Sequence, residues 1–65
     1  MNDFAKKLEA ILFIAGENVS LERLSKIVKK DKEEVKQALD KLEENLAERG
    51  VRLSRNGNAY MLVTA

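Results

Sequence analysis

Residues 31–50 read DKEEVKQALDKLEENLAERG, and the fold turns on how this stretch is interpreted. Asp31 is suited to cap the free N–H groups of a helix. Glu34, three residues on, has the spacing to complete a capping box. Gly50 is the expected left-handed residue that stops the helix. At ~100° per residue, Val35, Ala38, Leu39, Leu42 and Leu46 fall on one stripe, which must be buried against other elements. The opposite face centres on Glu33, Gln37, Asp40, Glu44 and Glu48, with Lys36 and Lys41 at its flanks. If this helix were the reading head of a DNA-binding domain, its face would repel phosphates.

Outward from this helix, Asn2 or Asp3 is placed to cap a first helix ending near Ala15, with Gly16 as its stop. Phe4, Leu8, Ile11, Leu12 and Ala15 form its inward stripe. Phe13 projects about 160° from the centre of that stripe, beside Lys6 and Glu9, with Ala10 and Ile14 between the two faces. Two readings of Phe13 stand here: cover by a later segment of the chain, or a partner-binding face. Glu17 to Val19 read as a short connection. Ser20 is a good cap for a second helix from Leu21 to about Val28, whose inward side is Leu21, Leu24 and Val28. The short turn around Lys29 to Asp31 then joins two helices as in a helix-turn-helix.

After Gly50 the period changes from helical to alternating. Asn56-Gly57 predicts a hairpin with a type I′ turn, pairing Arg55 with Asn58, Leu53 with Tyr60 and Val51 with Leu62. Val51, Leu53, Tyr60 and Leu62 would then face the helices, and Arg52, Ser54, Ala59 and Met61 the outside, with Val63 on the same outer face. The predicted fold is mainly α: a winged helix-turn-helix of three helices and a two-stranded antiparallel hairpin wing.

The chain has 65 residues, no cysteine and no histidine. A domain of this size buries only ~60% of its unfolded surface, so contact with a partner would stabilise it. Without thiols or imidazoles, disulfides, cysteine zinc sites and the commonest general bases are excluded, and there is no glycine-rich phosphate loop. No catalytic, cofactor-binding or metal-ligating residue is assigned. The carboxylates Asp40, Glu44 and Glu48 recur at i, i+4 spacing but read as solvated surface. The longest apolar run, Ala10 to Ala15, is far below the ~18 residues of a membrane span. The net charge of +1, with 35% charged residues, is not the strongly basic balance of a dedicated nucleic-acid binder. Residues 32–49 carry four basic side chains against six acidic ones, whereas residues 51–65 carry Arg52 and Arg55 and no acid. Any basic contact must therefore come from the C-terminal hairpin or from Lys26, Lys29 and Lys30; Arg52, Arg55, Lys29 and Lys30 are the candidates for weak phosphate contacts, and any DNA contact is expected to be weak or indirect.

Three stretches carry a family resemblance. LEAILFIAGE at 8–17, SLERL at 20–24 and YMLVT at 60–64 resemble the N-terminal domain of the bacterial and archaeal segregation and condensation protein B. Where the family often has paired glycines before the wing aromatic, this chain has Asn58-Ala59. The resemblance implies a non-catalytic subunit of an SMC condensin complex that forms a homodimer, binds the kleisin subunit (segregation and condensation protein A), and supports chromosome condensation and segregation in the cytoplasm, at the nucleoid. It also implies that residues 1–65 are one winged-helix domain, the N-terminal half of a two-domain protein. Ala10, Phe13 and Ile14 on helix one and Met61 and Val63 on the wing are the candidate dimer or partner surface. The alternative from another class is a winged-helix transcription regulator, which would be expected to place Arg, Lys, Asn or Gln where this chain has Glu33, Asp40, Glu44 and Glu48.

Overall fold

The computed structural model describes residues 3–64. Three helices pack on one side of a small antiparallel sheet: α1 (Asp3–Ala15), β1 (Val19–Ser20), α2 (Leu21–Val28), α3 (Lys32–Leu46), β2 (Val51–Asn56) and β3 (Ala59–Thr64). The expected winged helix-turn-helix is present, with one addition. The sheet has three strands in the order β1-β3-β2, because Val19 and Ser20 pair with Tyr60 and Ala59. Residues 17–19, expected as a plain connection, therefore include the start of an edge strand, and Val19 is buried.

Local chemistry sets the helix ends. The Asp31 side chain accepts from the Glu34 N–H at 2.9 Å and the Ser20 hydroxyl accepts from the Arg23 N–H at 3.0 Å, so each cap satisfies a donor that the first turn leaves free. No bond returns from the Glu34 side chain among the described residues, so the expected capping box is present as its Asp31 half. For α1, Asn2 lies outside the described residues; the helix begins at Asp3 and stops at Gly16, whose φ is 64°.

Helix α3 ends earlier than expected. It stops at Leu46, the last residue of its buried stripe, and Gly50 is not left-handed. Beyond Leu46 the sequence offers only Ala47 and then Glu48-Arg49-Gly50, so no apolar side chain anchors a further turn. The chain tightens instead through bonds three residues apart, from Ala47 N–H to Glu44 O at 3.3 Å and from Arg49 N–H to Leu46 O at 3.0 Å. The left-handed residue that sequence reasoning missed is Lys29, with φ 57°, which closes α2 and turns the chain into α3.

The hairpin turn also differs. Leu53 pairs with Leu62, Arg55 with Tyr60 and Asn56 with Ala59, so the two turn residues are Gly57 and Asn58. Gly57, at φ 62°, is the turn's only positive-φ residue, which is the pattern of a type II′ turn and not the expected type I′. The slip is two residues, so the faces are unchanged: Leu53 and Tyr60 are buried, with Val51 and Leu62 packed beside them.

One contiguous core joins these elements: Leu8 and Leu12 of α1, Leu24 and Val28 of α2, the five-residue stripe of α3, and Val19, Leu53 and Tyr60 of the sheet. On α1 the buried set is Ala5, Leu8 and Leu12, with Phe4 and Ile11 at its margin. Ala15, expected inward, is exposed because the helix ends there at the surface. Helix α1 packs against β3 and α3, while α3 also packs against α2 and β2.

Candidate functional site

The solvent side of α3 is where a DNA-reading winged helix would carry its base contacts. Here Glu33, Gln37, Asp40 and Glu44 are all exposed on it, and Glu48 lies in the turn beyond the helix. The expected ladder of Asp40, Glu44 and Glu48 is therefore not a helical ladder over its whole length. No group of acidic residues with metal-binding geometry occurs among the described residues.

Arg55 decides the character of the wing. Its guanidinium reaches Asp40 Oδ1 at 2.6 Å and Glu43 Oε1 at 2.8 Å, and lies 5.6 Å from the centre of the Tyr60 ring. The alternation of β2 explains this: Arg55 shares the inward face with Leu53, but lies near the strand end, where α3 offers carboxylates instead of leucines. The hydrogen bond with Asp40 is the largest cause raising the Arg55 pKa above its ordinary value; desolvation opposes it, and the charge of Glu43 adds to it. Stability linked to such a raised pKa is fully present below the unfolded arginine value and is lost only as the pH rises through the folded one. It is therefore constant across the neutral range. Of the four cations expected to meet phosphate, Arg55 is thus already held by helix three. Lys29 and Lys30 sit in the exposed α2–α3 turn, where Ser25 donates its hydroxyl hydrogen to the Lys30 carbonyl, and Arg52 stands exposed on β2 without an ion-pair partner among the described residues. The lysine pair and Arg52 lie on separate elements, and no described contact joins them.

The back of α1 is the opposite case. Phe13 is 77% and Ile14 82% exposed, and Ala10 beside them is exposed too. No later segment covers Phe13 among the described residues. Ile14, expected between the two faces, is more open than Phe13. Val63 is exposed and Met61 half-buried on the face of β3 turned away from the core, since Leu62 between them packs inward. The pleat therefore sends Met61 and Val63 to the side of β3 away from α1. Sequence reasoning found both apolar sets, but the fold does not join them through any described contact.

Fold and surface together define a winged helix-turn-helix domain with an acidic third helix, a wing arginine held internally and an open apolar helix face. Residues 6–65 match the family model of the segregation and condensation complex subunit ScpB, and the chain belongs to that family. Among solved structures it is similar to the crystal structure of a dimer of the ScpB N-terminal domain complexed with a ScpA peptide. That likeness has 28% identity and a TM-score of 0.88, and covers 94% of this chain and 79% of that one. Comparison with curated proteins yields no significant match.

Proposed function

We propose that this chain is a non-catalytic subunit of an SMC condensin complex, acting as a homodimer that binds the kleisin subunit and so supports chromosome condensation and segregation. The observation that carries the reading is the likeness to a ScpB N-terminal domain dimer holding a ScpA peptide, at 28% identity over nearly the whole chain. Family membership and the acidic face of α3 support it. The regulator alternative loses its basis, because the ridge that would read bases presents carboxylates. Residues 1–65 form the first of two winged-helix domains in this reading. Action at the nucleoid, in the cytoplasm, goes with it; among the described residues no helix is long and apolar enough to cross a membrane.

In the same reading the dimer forms through α1, with Ala10, Phe13 and Ile14 at its centre and Met61 and Val63 as a second apolar strip available to a partner. Burying Phe13 and Ile14 would contribute roughly 1.5–3 kcal/mol for each side chain, enough to matter for a domain with so little core. Lys29, Lys30 and Arg52 are left as the phosphate contacts, and so few charges give only weak, salt-sensitive binding. The test is to mix the chain with the kleisin subunit and measure the mass of the product by size-exclusion chromatography with light scattering. A dimer of this chain carrying kleisin is expected, and its absence at micromolar concentrations would refute the reading.

A further inference from the structure

The tip of the wing is pinned to the start of α2. Asn56 ends β2 and pairs with Ala59, and Ala59 pairs on its other side with Ser20, the cap of α2. Two further bonds close the same corner. The Leu21 N–H donates to the Asn58 carbonyl at 2.7 Å, and the Asn56 side-chain amide donates from Nδ2 to Asn18 Oδ1 at 3.0 Å. Asn18 and Asn56 are both exposed, so this last bond lies at the surface, where a contact between two neutral amides adds little to stability.

Asn56 is also placed for a reaction with its own neighbour. Of the five asparagines in the chain it alone is followed by glycine. Gly57 has no side chain to shield its nitrogen, and its N–H makes no hydrogen bond among the described residues. That nitrogen can attack Cγ of Asn56. The N–Cγ bond forms, the Cγ–Nδ2 bond breaks, and the Gly57 proton leaves with Nδ2 as ammonia. Water then opens the five-membered imide at one of its two carbonyls, which leaves aspartate or, with one extra carbon in the main chain, isoaspartate. The fold opposes ring closure twice. Asn56 must swing out of its extended conformation, which breaks the pairing with Ala59, and its Cγ must turn toward Gly57, which breaks the bond to Asn18. The reaction therefore proceeds from an opened wing tip.

We propose that Asn56 is a site of spontaneous deamidation guarded by Asn18, and that its conversion to isoaspartate unpins the wing tip from α2. The extra main-chain carbon shifts Ala59 out of register, and the Ser20 pairing and the Leu21–Asn58 bond loosen with it. The experiment incubates the full chain at mildly alkaline pH, where the attacking nitrogen loses its proton more readily. Conversion of amide to acid is followed by peptide-mapping mass spectrometry in the parent, Asn18→Ala and Asn18→Asp. Position 18 is exposed, so fold is retained and is checked by circular dichroism. Conversion should concentrate at Asn56 and run faster in urea than in buffer. Asn18→Ala should react roughly 2- to 10-fold faster than the parent, the span of one hydrogen bond's net contribution. Asn18→Asp, whose carboxylate still accepts from Nδ2, should react no faster than the parent. The isoaspartate form should show faster amide exchange at Leu21 and Arg23. Conversion at Asn56 no faster than at the other asparagines overturns the site. Equal rates in all three chains overturn the guarding role of Asn18, and unchanged exchange in the isoaspartate form overturns the unpinning.

Discussion

Helices α1 and α3 each turn one face to the core and one to solvent, and their solvent faces are opposites. That of α3 is charged, and part of its charge is used within the domain, where Asp40 and Glu43 hold the wing arginine. That of α1 ends in Phe13 and Ile14, more than three-quarters exposed, with no described segment over them. A water-exposed carboxylate costs nothing, whereas two adjacent large apolar side chains at one helix end form a patch that a partner would bury. The contrast assigns roles. Helix α3, the reading head in DNA-binding winged helices, here supports the wing through Asp40 and Glu43, and the back of α1 is the contact surface proposed above for this domain.

The largest effect should come from the side on which the two helices agree. Leu42 is fully buried at the centre of the α3 stripe, and Leu42→Ala should cost ~2–5 kcal/mol, enough to unfold much of so small a domain in a thermal melt. A parent-like melting temperature would break the packing assigned to α3. Asp31→Ala removes the cap that holds the Glu34 N–H and should cost about 1 kcal/mol by urea denaturation. Arg55→Ala tests whether the acidic face is a structural support: the pair is exposed, so the loss should lie within ~1 kcal/mol and shrink in high salt. A larger, salt-independent loss would mean the wing depends on this contact more than the geometry implies. The smallest expected signal is DNA binding, weaker than ~10⁻⁶ M at physiological salt by fluorescence anisotropy. Nanomolar, sequence-selective binding would remove the contrast altogether.

Much of this was legible in the residues. The α3 stripe, the Ser20 and Asp31 caps and the inward set of the hairpin follow from spacing alone; spacing also puts Phe13 off the core stripe of α1 but leaves open whether a later segment covers it, which the fold answers with its exposure. Other features depend on pairing that no single segment records. Val19-Ser20 is too short to show a period, and it is a strand only because Tyr60 and Ala59 lie beside it. The turn was displaced because Asn56-Gly57 and Gly57-Asn58 are both good turn pairs, and only the fit of β3 to its neighbours selects between them. Gly50 was a plausible stop, but burial ends at Leu46, and the residues after it serve other contacts: Arg49 reaches Glu9 of α1 at 3.2 Å. The destination of Arg55 was hidden as well, since its register with Tyr60 and its reach to Asp40 require the wing to be folded over α3.

The contrast between the two faces is tested most directly by the mass of the chain in solution across a dilution series, measured for the parent and for Phe13→Glu by analytical ultracentrifugation. The parent should hold a dimer mass that gives way to monomer on dilution. Phe13→Glu should be monomeric throughout with its helical circular dichroism unchanged, because Phe13 contributes nothing to the monomer core. A parent that is monomeric at every concentration, or a variant that remains dimeric, would contradict the assignment of α1 as the contact face.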